Sequence, residues 1–305
     1  MIGRKKNKTQ PQAVTVGLIQ MSASSNLKKN LAEAADRIEK AARKGAQIIC
    51  LQELFGTQYF PQEEAQKNFN FAESIPGLKT NQLSEIAKLH EIVLIAPVFE
   101  KTASGTYYNS AVVIDADGSL LGTYRKMHIP EDPYFYEKYY FKPGNLGFKM
   151  FQTQYAKIGV LICWDQWFPE AARLTVLQGA DILFYPTAIG WDIGRKDNEI
   201  LKEKSAWKMI QRSHAIANGV YVACANRVGV EGKLHFWGSS FISDPLGALI
   251  AQASEKDEEI VVAELDLSKI EETRKNWPFL RDRRVNAYRD WGQSRKGHAY
   301  EQHSY

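Results

Sequence analysis

The chain has 305 residues, 44% of them hydrophobic and 24% charged, with 21 Gly and 11 Pro. This is the composition of a globular protein and excludes a disordered, collagenous or coiled-coil chain. No apolar run reaches the roughly 18 residues a membrane span requires, so a membrane is not an expected partner. The basic start MIGRKKNKTQPQ lacks the apolar stretch of a secretory signal. The net charge of +4 resides in that start: without Arg4, Lys5, Lys6 and Lys8, the body carries 35 basic and 35 acidic groups. A neutral body argues against nucleic acid as a partner, and residues 1–12 are expected to form a disordered basic tail. The three cysteines, Cys50, Cys163 and Cys224, are odd in number and widely spaced. They form neither a disulfide framework nor a zinc-ligand pattern, and a reducing cytoplasm is the expected compartment.

Strand-like and helix-like segments alternate along the chain. Residues 13–20 (AVTVGLIQ) read as a strand and 27–45 as an amphipathic helix closed by Gly45. Residues 46–53 read as a buried strand ending on a charge, NQLSEIAKLHE as a second helix and IVLIAPVFE as a third strand. A hairpin over 107–126 turns at Asp115–Gly118. The order then recurs: strand 157–164, helix 168–179 ending at Gly179, strand ADILFYPTA, helix SAWKMIQRSHAIANG and strand VYVACANRV. A hairpin over 235–253 follows, turning at Asp244–Gly247. Gly45-Ala46-Gln47-Ile48-Ile49 matches Gly179-Ala180-Asp181-Ile182-Leu183, and His90 has a counterpart around His214. The reading is an internal duplication, folded as an α/β sandwich of α-β-β-α layers with a pseudo-two-fold. The domain is expected to run from 13 to 265. Residues 266–305, rich in Arg and Trp, are expected to be a C-terminal arm lying on the domain or on a partner subunit.

Three predicted strands end on residues unsuited to a strand interior: Glu53, Lys126 and Cys163. Ligands gather at strand ends in α/β folds. A strand-to-helix elbow at Cys163 lifts the sulfur out of the sheet, and a helix N-terminus there lowers the thiol pKa and offers N–H donors to an oxyanion. Glu53 is placed to act as a base and Lys126 as a cation. Cys50 and Cys224 read as small core residues.

The segments LQELF, YRKMH and LICWD, carrying these residues in this order, resemble the nitrilase superfamily of carbon–nitrogen hydrolases over about residues 13–290. The resemblance implies Glu53 as general base, Lys126 as the cation at the tetrahedral centre and Cys163 as nucleophile. It also implies a second Glu, Glu137 in EKYYFKPGN, and helix-to-helix pairing into a homodimer or higher homo-oligomer. The chemistry requires neither metal nor organic cofactor.

CWDQWFPEAAR and LQGADILFYPTAIG resemble the branch of that superfamily that converts N-carbamoylputrescine to putrescine, CO2 and ammonia in polyamine biosynthesis. Branches that grip a substrate carboxylate place Arg just after the Cys, whereas Gln166-Trp167 stand here. Asp192, Glu131 and Asp132 are the candidate partners of a distal ammonium on a small-molecule substrate, and Trp164, Trp191 and Tyr134 of its methylene chain. The alternatives are a β-ureidopropionase or another N-carbamoyl amidohydrolase of the same superfamily, and a non-enzymatic binding subunit on the same fold.

Overall fold

A computed structural model describes residues 12–195 and 199–288. The strands are β1 (Ala13–Gln20), β2 (Ile48–Leu51), β3 (Val93–Lys101), β4 (Tyr107–Ile114), β5 (Leu120–Arg125), β6 (Met150–Gln152), β7 (Lys157–Val160), β8 (Ile182–Pro186), β9 (Gly190–Asp192), β10 (Tyr221–Ala225), β11 (Val228–Glu231), β12 (Leu234–Trp237), β13 (Phe241–Ser243), β14 (Leu249–Gln252) and β15 (Glu259–Asp266). The helices are α1 (Leu27–Arg43), α2 (Leu78–His90), α3 (Glu137–Tyr140), α4 (Pro169–Leu177), α5 (Glu199–Asn218) and α6 (Ser268–Asn276).

Two six-stranded sheets carry the fold, ordered β15-β1-β2-β3-β4-β5 and β14-β13-β10-β8-β7-β6. Alternation along each strand divides the core. Val16, Leu18, Ile48 and Cys50 join Ile158, Val160, Ile182 and Ala223 between the sheets. Ile19, Ile49, Leu51 and Leu94 face outward against Ala34, Ile38 and Ala41 of α1 and Leu83 and Ala87 of α2. These are the α-β-β-α layers expected from the sequence.

The duplication holds in detail. Each half runs three parallel strands into an antiparallel hairpin with one further antiparallel strand at the opposite edge. Both hairpins shift register at the same point, Val113/Ile114 and Ile242/Ser243. Gly17 and Gly159 are equivalent close-approach sites: an added Cβ would lie 2.9 Å from Ala46 Cβ at one and 3.3 Å from Ala180 Cβ at the other. One equivalence read from the sequence is off by a helical turn. Ile92 N–H donates to Ala87 O and Val220 N–H to Ala215 O, so His90 matches Asn218 rather than His214. The histidine spacing misled because helix ends are fixed by these closing bonds, whereas a lone polar residue occurs on any turn.

The sequence reading also lacked a third sheet, β11-β12-β9. The sequence pattern runs residues 235–237 into the second hairpin. They lie in β12, because Gly238 (φ 54) and Ser239 (φ 60) turn the chain between β12 and β13. In the region assigned to the arm, α6 buries Ile270 in the main core. Residues 1–11 of the tail and Trp291 of the arm fall outside the described residues.

Candidate active site

Glu53, Lys126, Glu137 and Cys163 converge at one end of the inter-sheet seam. Glu53 follows β2 in a tight turn whose next residue, Leu54, has φ 50. Lys126 extends β5, its N–H donating to Asn109 O at 2.8 Å. The chain returns across it at Gly144, whose N–H donates to Lys126 O; a Cβ at Gly144 would sit 2.2 Å from Arg125 O. Glu137 opens α3. Cys163 begins a 3-10 turn, Cys163–Trp167, with φ 42. That left-handed conformation is uncommon for a side-chain-bearing residue and marks local strain. The first N–H groups of such a turn have no partner inside it, leaving donors beside the sulfur.

Lys126 is the hub. Its Nζ lies 2.8 Å from Glu53 Oε1, and 2.9 and 2.7 Å from Glu137 Oε1 and Oε2. Asn109 Nδ2 donates to Glu53 Oε1 at 2.7 Å and Tyr59 OH to Glu137 Oε1 at 2.7 Å. Glu53, Lys126 and Glu137 are each 0% exposed. Burial disfavours the Lys126 ammonium, but Glu137, Glu53 and the sulfur outweigh it and drive its pKa up. Lys126 therefore stays charged. Burial, followed by the Glu53 charge set against that of Lys126, raises the Glu137 carboxyl.

Burial also pushes the Cys163 thiol well above its ordinary value, Glu53 adding to the shift and Lys126 opposing it. This corrects the expectation of a thiol acidified by a helix N-terminus: desolvation and a facing carboxylate win, so the resting group is a neutral thiol. Such a thiol requires a base at the moment of attack. Glu53 Oε2 is buried with no hydrogen-bond partner among the described residues, and so keeps a lone pair available for a proton.

A cavity of about 550 Å³ opens onto Cys163 and Glu137. Trp164, Trp191, Asp132 and Asp192 line it, together with Trp167, Trp237, Arg195 and Glu203, which the sequence reading did not single out. Glu131 and Tyr134 do not line it. A turn closed by Phe135 N–H to Asp132 O directs Asp132 and Phe135 to the cavity, while Tyr134, at φ 65, packs in the neighbouring aromatic cluster. Glu131 is exposed. Partial desolvation raises the Asp132 carboxyl, opposed by Lys138.

A second network lies behind the first. Arg227, fully buried, donates from Nη1 to both Glu231 oxygens at 2.8 Å and to Thr57 O, and from Nη2 to Glu53 O at 3.0 Å and Leu54 O at 2.8 Å. Glu231 Oε2 accepts from Tyr59 N–H. A closed ring of bonds thus runs from Arg227 through Glu53, Lys126, Glu137, Tyr59 and Glu231. Sequence reasoning missed Arg227, Glu231, Asn109 and Tyr59. The only signal was Arg and Glu four apart at the end of an apolar run, ANRVGVE. Asp165 makes a further tie: it accepts from Ile162 N–H at 2.9 Å and His128 N–H at 3.0 Å, pinning the cysteine turn to the segment after Lys126.

Comparison with known proteins settles the family. The carbon-nitrogen hydrolase profile matches residues 15–275. This chain belongs to the carbon-nitrogen hydrolase family. The N-carbamoylputrescine amidase of Solanum lycopersicum is similar to it at 45% identity over 285 residues, covering 90% of this chain and 94% of that one. A citrullinase from Francisella tularensis subsp. tularensis is 42% identical over 282 residues, covering 90% and 96%. The crystal structure of a carbon-nitrogen hydrolase from Helicobacter pylori G27 superposes with a TM-score of 0.89 at 46% identity, covering 92% of this hydrolase and 99% of that one. The chain is thus a hydrolase of the nitrilase superfamily with an α-β-β-α fold, acting on carbon–nitrogen bonds other than peptide bonds.

Proposed function

We propose that this hydrolase cleaves N-carbamoylputrescine to putrescine, CO2 and ammonia. The observation that carries the reading is the cavity: it reaches the buried Cys163 and Glu137, has tryptophan walls, and among the described residues bears three further acids, Asp132, Asp192 and Glu203, against one base, Arg195. A ureido group at the floor, a methylene chain along the tryptophans and an ammonium at the acids match that layout. The 45% identity to an N-carbamoylputrescine amidase supports it.

In the proposed reaction Glu53 takes the Cys163 proton as the sulfur attacks the ureido carbon. Lys126 and the Trp164 N–H hold the resulting oxyanion. Collapse breaks the bond to the terminal nitrogen, which leaves as ammonia with the proton from Glu53. The remaining N-alkylcarbamoyl thioester is attacked by water, Glu53 again accepting the proton, and returns the thiol. The carbamate released loses CO2 to give the amine. Glu137 fixes the position of Lys126.

The hydrolase is proposed to be cytoplasmic and homo-oligomeric. Among the described residues no helix is long and apolar enough to cross a membrane. Leu174 and Leu177 on α4 and Leu201 and Met209 on α5 are exposed, a helix face suited to a second copy. A sedimentation mass of one chain at micromolar protein would refute the oligomer.

Ammonia release tests the substrate. N-carbamoylputrescine should exceed N-carbamoyl-β-alanine in kcat/KM by about 10- to 150-fold, the worth of one charge-assisted hydrogen bond. A preference for N-carbamoyl-β-alanine would replace the reading with a β-ureidopropionase. Failure to release ammonia from any ureido compound or ω-amide would favour a binding subunit.

A further inference from the structure

Citrulline and N-carbamoylputrescine share one skeleton. In both, a ureido nitrogen is followed by four carbons, the fourth bearing an ammonium; citrulline adds only a carboxylate on that fourth carbon. An active site that accepts one fits the other along its whole length, so the choice between them falls on the groups around that carbon, at the outer part of the cavity. There, among the described residues, this hydrolase places one guanidinium, Arg195, on the lining with Glu203, Asp192 and Asp132. An arginine is the usual grip for a substrate carboxylate. Here its fork faces a protein carboxylate: Nη1 donates to Glu203 Oε2 at 3.0 Å and Nη2 lies 2.9 Å from Glu203 Oε1. Glu203 stands on α5 with Ala206, which also lines the cavity.

We infer that Glu203 is a specificity-determining residue: by engaging the Arg195 fork it withholds that cation from a substrate α-carboxylate, and its own charge repels the same group. The inference rests on the proposed N-carbamoylputrescine activity and deepens it. Specificity of this kind is set by a repulsive element as much as by an attractive one. The acids still serve the ammonium that both substrates carry, so what Glu203 sets is rejection of the extra carboxylate. Removing its charge should therefore raise turnover of citrulline more than it lowers turnover of N-carbamoylputrescine.

The experiment measures kcat/KM for ammonia release from N-carbamoylputrescine, citrulline and neutral n-butylurea in the wild type, Glu203→Gln and Glu203→Gln/Arg195→Gln. Normalising to n-butylurea, which has the same length and no distal charge, cancels any loss of fold or triad function. Wild type should prefer N-carbamoylputrescine over citrulline. Glu203→Gln should shrink that ratio on the order of 10-fold, between the worth of an exposed pair and a charge-assisted bond. The double variant should lose the gain on citrulline, because Arg195 is what supplies it. An unchanged ratio in Glu203→Gln, with the wild-type preference intact, overturns the assignment of Glu203 alone. A wild type that prefers citrulline overturns the proposed function as well.

Discussion

The two halves of the molecule share strand order, hairpin turns, a β-bulge and the glycine contacts under their first helices, yet they differ at their strand ends. Aligning Gly17 with Gly159 and Gly45 with Gly179 places Met21 opposite Cys163 and Thr187 opposite Glu53. All four are buried. The first half thus supplies the proposed base Glu53 and cation Lys126, the second the proposed nucleophile Cys163, and neither half holds the set alone. Of the outer helices, α1 carries the pairs Lys29–Glu33, Lys40–Asp36 and Arg43–Glu39, whereas α2, α4 and α5 leave Leu78, Leu89, Leu174, Leu177 and Met209 exposed. A duplicated scaffold keeps its backbone contacts because they set the fold. Its strand ends are free to diverge, since no sheet packing depends on them.

The largest expected effect breaks the symmetry directly. Cys163→Ala should lower kcat by at least about 10⁴-fold with an unchanged melting curve, while Met21→Leu at the matching position should cost under about 1.5 kcal/mol of stability and leave turnover alone. Steady-state kinetics with calorimetry read both; substantial turnover in Cys163→Ala would reject the covalent route. Next is the tie between halves. Arg227→Met leaves the buried Glu231 charge without its cation and should destabilise by about 3–5 kcal/mol, against about 0.5 kcal/mol or less for Lys29→Met in an exposed pair. Equal denaturation midpoints for the two variants would show that Arg227 holds nothing.

Lys126→Ala should reduce kcat by about 10²–10³ with a smaller change in KM, as for loss of one oxyanion donor. A purely KM effect would move Lys126 from transition state to ground state. The smallest effect is one of pH. Burial, opposed by hydrogen bonds with Thr187 and Gln211, pushes the Cys224 thiol from its ordinary 9.0 up to about 12. The folded state then keeps a proton that the unfolded chain releases. This stability is whole below pH 9.0 and falls as pH rises towards about 12, by about 1.4 kcal/mol per pH unit. Cys224→Ala should flatten that part of the stability curve, measured by urea denaturation between pH 8 and 11; a slope equal to that of the wild type would contradict it.

The sequence by itself determined the layers, the duplication and three of the four converging residues. Alternating apolar positions fix which face of a strand is buried, and Glu53, Lys126 and Cys163 stood out because each follows an apolar run. Resemblance added Glu137. Tertiary structure alone decided the rest. Arg227 and Glu231 become a clamp only because the strand after β10 crosses beneath the Glu53 turn, a contact between residues some 170 apart that no local pattern encodes. The direction of the Cys163 shift was likewise undecidable from the chain. A helix N-terminus and a buried carboxylate push a thiol in opposite senses, and only the packed site sets their balance. Glu131 and Tyr134 failed as lining residues for a related reason: a tight turn separates neighbours in sequence onto different surfaces, and its geometry belongs to the fold.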